Sequence, residues 1–235
     1  MPELPAIRQL VFLAADLEST LAAARAELGL GAGVKDAEGM AALGFIHEVL
    51  TIDQTFLEFS APLGPDTLPG RLVAKRGDLG YMVVVQVADI EATKAKAAEL
   101  GLKPVFETPY EEHTITQWHP RDLGTLAELD QIRPAETWHM APQIFANGST
   151  DVVGDFVAIE VAVPDPAAMA ARWAEVLSIP VGDDGTHVEL AGRRLRFVPL
   201  VGDSGAGLVA VELPATDRSQ AGRVARISGV DFRLV

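Results

Sequence analysis

Two glutamates set in apolar segments are the residues of this chain best placed to do chemistry. Glu58 lies in Thr55-Phe56-Leu57-Glu58-Phe59, and Glu128 lies in Thr125-Leu126-Ala127-Glu128-Leu129. A strand's side-chain period of two turns each glutamate to the face of Phe56 or Leu126 and sends Leu57 or Ala127 to the other. A buried carboxylate is costly unless it is paired or coordinated. One such strand in each of two repeats suggests two carboxylates converging on a shared cavity. The structural alternative is that arginines or backbone donors satisfy them.

The elements that must position these residues repeat along the chain. Residues 7–14 read as a strand, with Asp16 as helix N-cap. Leu17, Leu21, Ala24 and Leu28 follow at helical spacing, ending at Gly29. Residues 46–52 form a strand, and Asp53-Gln54 turn into the strand of Glu58. Prolines and glycines over 62–70 mark a connector. The pattern then restarts with a strand over 81–87, Asp89 as N-cap, and a helix to Leu100 stopping at Gly101. The Asp-X-Glu start recurs at an offset of 73 residues (16 to 89), Glu-Leu-Gly-Leu at 72 (27 to 99) and the glutamate strand at 70 (58 to 128). Ordered matches at nearly one offset indicate a duplicated unit. Residues 156–163, Asp165-Pro166 and a hairpin over 187–198 form a third unit. A strand over 208–213, a short helix after Asp217 and a strand over 230–235 form a truncated fourth. The expected division is 1–132 for units one and two, 133–150 for a linker packing through Trp138, and 151–235 for units three and four.

Composition narrows the classes. The 235 residues carry a net charge of −14, which argues against nucleic acid and anionic membranes as partners. There is no cysteine, hence no disulfide, thiolate nucleophile or zinc-thiolate site. No basic segment leads into an apolar core at the N-terminus, and no apolar run approaches a bilayer span. A cytoplasmic protein is expected. Gly29-Leu30-Gly31-Ala32-Gly33 follows a helix, whereas a dinucleotide loop follows a strand, so no nucleotide cofactor is expected. Gly202-Asp203-Ser204-Gly205 lacks a nucleophile-elbow context and reads as a turn.

Four tandem βαβββ-type units, with an acidic residue on the last strand of the early ones, resemble the vicinal oxygen chelate superfamily, which includes glyoxalases, bleomycin-resistance proteins and extradiol dioxygenases. The likeness rests on Asp16-Leu17-Glu18 with its copy Asp89-Ile90-Glu91, on the paired glutamate strands, and on His119-Pro120-Arg121-Asp122-Leu123-Gly124 before Glu128. Pro69-Gly70-Arg71, Arg76-Gly77 and Gly80-Tyr81-Met82 resemble a glyoxalase-like subgroup. The resemblance implies an α+β fold of four modules paired into two half-open sheet cups. It also implies a divalent metal (manganese, zinc, iron or magnesium) held by the first and last strands of paired modules.

The family's first-strand ligand lies seven residues before the capping Asp, which selects Gln9 and Met82 here. An amide oxygen suits such a cation and a thioether does not. The implied ligands are therefore Gln9, Glu58 and Glu128. In the second half the same positions hold Ala158 and Ala210, then Arg196 and Arg233, so no family-type metal is expected there. Those arginines are expected to pair with Glu160 and Glu212, or else to bind an anion. Glu128 and His119 are candidate proton carriers. Tyr81, Met82, Trp118 and His47 are candidate substrate contacts, with core packing or strand surface as the competing role. The implied function is a lyase, isomerase or dioxygenase acting on a small oxygen-rich substrate. The alternative is a metal-free binding or sequestering protein of the bleomycin-resistance type. Family members also pair units between chains, so a homodimer is compatible.

Overall fold

A computed structural model describes residues 3–110, 113–202 and 205–235. Asp203 and Ser204, within the glycine-flanked segment read as a turn, lie outside the described residues.

The chain is α+β. Module one comprises β1 (Ala6–Leu13), α1 (Leu17–Leu28), α2 (Ala37–Ala42), β2 (Phe45–Thr51), β3 (Phe56–Pro62) and the trailing α3 (Leu68–Arg76). Module two comprises β4 (Leu79–Gln86), α4 (Ile90–Glu99), β5 (Phe106–Tyr110), β6 (His113–Trp118), the short α5 (Pro120–Leu123) and β7 (Leu126–Gln131). Module three has β8 (Ala158–Val163), α6 (Pro166–Leu177), β9 (His187–Leu190) and β10 (Arg193–Pro199). Module four has β11 (Gly207–Leu213), a 3-10 turn at Arg218–Gln220, β12 (Val224–Ile227) and β13 (Val230–Leu234).

The expected caps are present. Asp16, Asp89 and Asp165 each accept the amide three residues on, at Ser19, Ala92 and Ala168. Gly29 closes α1 in the left-handed region at φ 69°. Three elements differ from expectation. The segment read as a connector holds α3, because Thr67 caps it and Pro69 falls in the first turn, where its missing N–H is harmless. Helix α2 and strand β12 also form. In modules one and three the strand after the helix is reduced to single antiparallel bridges, Val34 to Val49 and Val181 to Val188.

All four modules share one rule. The first strand pairs in parallel with the last: β1 with β3, β4 with β7, β8 with β10 and β11 with β13. The register is the same each time. Gln9 lies opposite Phe56, Met82 opposite Leu126, Ala158 opposite Arg194 and Ala210 opposite Asp231. The last-strand position therefore falls two residues further on, at Glu58, Glu128, Arg196 and Arg233. With a period of two, each pair shares a sheet face as diagonal neighbours.

The chain forms two compact units. One comprises residues up to Arg8, Met82–Trp138 and Ala158–Leu208; the other comprises Gln9–Tyr81, His139–Val157 and Val209–Val235. In the second, Phe12 stacks on Phe59 at 5.1 Å and lies 5.1 Å from Phe232. In the first, α4 packs on α6, and the Trp173 indole N–H donates to the Leu123 carbonyl at 3.0 Å. Trp138 is buried there, with the Arg8 guanidinium 4.9 Å from its ring centre.

Candidate functional site

The most developed polar cluster lies in the unit that contains module one. Glu58 sits on β3 among Phe56, Leu57 and Phe59, all fully buried. Its carboxyl group meets side chains from β1, β2 and its own strand. Gln9 Nε2 donates to Oε2 at 2.7 Å, and Ser60 Oγ donates to Oε1 at 3.1 Å. His47 Nδ1 lies 2.8 Å from Oε1. The β2–β3 register explains the histidine: Val49 faces Glu58 and His47 faces Ser60, so the ring reaches its diagonal neighbour on the same face. The other ring nitrogen, Nε2, accepts the Asp36 amide at 2.8 Å. A backbone N–H can only donate, so Nε2 carries a lone pair and the ring proton sits on Nδ1. Gln9, His47 and Glu58 keep 7%, 6% and 7% exposure, so the cluster is buried but not sealed.

Glu48, beside His47 on β2, organises the adjoining loop. It accepts the Gly33 amide at 2.6 Å, pairs with Arg25 and lies 3.3 Å from Lys35. Burial opposes its ionisation, but the Gly33 amide and Arg25 outweigh burial and hold its carboxyl below the usual range.

Glu128 lies in the other unit. Its Oε2 accepts Gln117 Nε2 at 2.8 Å, from the residue directly opposite on β6. Asp130, on the same face of β7, is wholly buried and hydrogen-bonded to Glu128. Desolvation pushes its carboxyl up to about 8, against the opposing pull of Glu128 and the Thr116 amide. The sequence reading passed over Asp130, although the Glu-X-Asp alternation places it on the face of Glu128.

The other candidates are distributed as follows. Met82 is buried, 8% exposed, at its first-strand position. Tyr81, in the unit of Glu58, stacks obliquely on Phe45 at 5.9 Å. Trp118 is fully buried and donates to Thr116 Oγ1 at 3.0 Å. His119 caps α5, its Nδ1 accepting the Arg121 amide at 3.0 Å. In module three Arg196 pairs with Glu160 at 2.9 Å, the internal pairing expected from sequence. In module four the register sets Arg233 beside Glu212.

The donor chemistry around Glu58 fits a hard divalent cation. Oε1 is anchored by His47 and Ser60, the outer support that ligating carboxylates commonly have. Oε2 accepts the Gln9 side-chain amide, whose oxygen would have to turn toward an ion for Gln9 to ligate it. Met82 offers no ligand of this kind.

A parallel pairing of first and last strands in four βαβββ-type modules, with an acid at the last-strand position in two of them, defines the vicinal oxygen chelate class. Within that class the family model for the glyoxalase-like domain matches residues 10–177, and the chain belongs to that family. No curated protein matches the chain. Among solved structures, a mutant 4-hydroxymandelate synthase from Streptomyces coelicolor is 14% identical, covers 92% of this chain and 72% of its own, and has a TM-score of 0.68. A hypothetical protein from Staphylococcus aureus is 12% identical, covers 98% of both chains and has a TM-score of 0.66. A methylmalonyl-CoA epimerase from Streptomyces coelicolor, in complex with 2-nitronate-propionyl-CoA, is 23% identical. It covers 57% of this chain and 99% of its own, with a TM-score of 0.50. These likenesses establish the fold.

Proposed function

We propose that the protein is a metal-assisted enzyme of the lyase, isomerase or dioxygenase type, acting on a small oxygen-rich substrate. The observation that carries this reading is the Glu58 carboxylate, held by His47 and Ser60 on one oxygen and turned toward Gln9 with the other. Gln9 and Glu58 would hold the ion, both within the unit that contains module one. Manganese, zinc, ferrous iron and magnesium all suit oxygen donors of this kind. When bound, the ion supplies Lewis acidity toward vicinal substrate oxygens.

The chain's own groups then do the following. Gln9 and Glu58 orient the oxygens they face. Glu128, hydrogen-bonded to Gln117 and Asp130, is the candidate proton acceptor of its own unit. His119, engaged through Nδ1 by the helix it caps, keeps Nε2 as a second proton carrier. Tyr81, beside Phe45 in the unit of Glu58, supplies an aromatic contact to the substrate, whereas the fully buried Trp118 packs in the core.

A second reading is metal-free binding of a small molecule. Met82 at a ligand position favours it, as does the Gln9–Glu58 hydrogen bond, which completes the carboxylate's partners without an ion. Metal content of untagged protein, followed by calorimetric titration of manganese into wild type and Glu58→Gln, separates the two. A stoichiometric ion lost in Glu58→Gln supports the enzyme and directs screening toward diketone-like, catechol-like and acyl-CoA substrates. No binding at micromolar levels in wild type removes the metal mechanism and leaves the binding protein.

A further inference from the structure

We infer that His47 is a positioning residue, locked as its Nδ1–H tautomer by the backbone of the loop after α1, and that it sets which oxygen of Glu58 faces Gln9. This inference deepens the proposed role of Glu58 and rests on that reading. It gives His47 a role different from the substrate contact expected from sequence.

The geometry is one continuous chain of hydrogen bonds. The Asp36 amide donates to Nε2 at 2.8 Å, and Nδ1 meets Glu58 Oε1 at 2.8 Å. Both ring nitrogens are thus engaged within the protein. Because the group on Nε2 is an amide, it cannot reverse its role as a hydroxyl or carboxylate could. The proton is therefore directed to Nδ1 by covalent structure, and Nδ1 has Glu58 Oε1 as its acceptor. With Oε1 fixed, the planar carboxylate can present only Oε2 to Gln9.

The loop that carries the amide is built to hold it still. Val34 and Val49 exchange both backbone hydrogen bonds, at 3.0 and 2.9 Å. The Glu48 carboxylate gathers the Gly33 amide, Arg25 and Lys35. Gly33 lies so close to β2 that a Cβ there would come within 2.3 Å of the Val49 carbonyl oxygen. Asp36 is fixed from its other side, its carboxylate capping α2 through the Gly39 amide at 3.0 Å. The donor is thus fastened on either side of the residue that uses it. The ring itself is 6% exposed and packs beside Ser60, which reaches the same oxygen.

Two near-isosteres divide the two arms of the ring. In His47→Asn the amide nitrogen takes the place of Nδ1 and keeps a donor toward Glu58. In His47→Gln the amide oxygen takes the place of Nε2, keeping an acceptor for Asp36 and losing the donor to Glu58. Two measurements test the inference. In wild-type protein, imidazole nitrogen-15 resonances of His47 are expected to show a protonated Nδ1 and a pyridine-like Nε2. The opposite tautomer, or an averaged pair, would overturn it, and this readout needs no variant to fold. In calorimetric titration with manganese, His47→Asn is expected within about threefold of wild type and His47→Gln about 10–100-fold weaker, the usual effect of losing a ligand's outer support. Equal weakening of both, or retention in His47→Gln, would also overturn it. If wild type binds no manganese, the metal reading fails by itself, and the tautomer measurement still decides the role of His47.

Discussion

A carboxyl sealed inside a strand is a stability device whose sign depends on pH. Asp130 has its carboxyl raised from 3.8 to about 8, chiefly by desolvation. Between those values the unfolded chain has released a proton that the native state still holds. Stability therefore falls as pH rises from about 4 to about 8, then levels. Each pH unit of displacement corresponds to about 1.4 kcal/mol, so even part of the displacement is measurable. Asp130→Asn retains an acceptor for the Thr116 amide and a donor toward Glu128 while removing the titration. Urea denaturation at pH 5, 7 and 9 is expected to show wild type weakening over that range, while the variant changes less and overtakes wild type by pH 9. A variant whose stability follows pH as steeply as wild type would contradict the assignment. At this scale the sequence was informative about charges in apolar strands and poor about their partners. Glu58 and Glu128 were visible because a carboxylate between Phe or Leu residues is anomalous. The histidine that orients Glu58 was visible only as a residue type, because its partner depends on a cross-strand diagonal that needs the hairpin register.

The elements were legible wherever a local signal had one meaning. Asp16, Asp89 and Asp165 cap helices because an acceptor three residues before a free amide works in any tertiary setting. Proline and glycine over 62–70 have two meanings, and the sequence alone does not separate them. Pro69 ends an extended segment equally well as it begins a helix, and Gly70 is required because a Cβ would come within 2.2 Å of the Gly64 carbonyl oxygen. Thr67→Ala removes the α3 cap and is expected to cost about 1 kcal/mol by thermal melt. The turn before β3 offers a larger effect. Asp155 accepts the amides of Asp53, Gln54 and Thr55 and the Thr55 hydroxyl. Three amides gathered on one carboxylate fix the direction in which β3 starts, and hence the face on which Glu58 arrives. Asp155→Ala is expected to cost about 1–3 kcal/mol in urea denaturation, the range for stranding polar groups that shared a charged acceptor. The duplication was readable from sequence, whereas the single-bridge strands of modules one and three were not. One residue pair carries no periodic pattern.

For the molecule as a whole, duplication and divergence together locate the chemistry. Four modules share one register, yet only the first two carry an acid at the last-strand position, where the others hold Arg196 and Arg233. Arg196 paired with Glu160 closes the third internally, and alanines stand at both first-strand positions of the second half. Selective binding should therefore act through module one or two and appear as global stabilisation. A ligand present at a hundredfold its dissociation constant stabilises a native state by about 2.7 kcal/mol. For a chain of this size that corresponds to a rise in Tm of about 5–11 °C. The net charge of −14 attracts any cation diffusely, which could imitate the effect. Physiological salt screens exposed charges beyond about 8 Å and so removes most of that component. Differential scanning calorimetry with manganese in physiological salt is therefore expected to raise the wild-type Tm and leave Glu58→Gln unmoved. The same ion should stabilise Arg196→Gln, relative to that variant without metal, as much as it stabilises wild type. An equal rise in Glu58→Gln would assign the effect to the acidic surface rather than to module one. Loss of the rise in Arg196→Gln would mean that the second half takes part in holding the ion, against the division of labour its alanines and arginines imply.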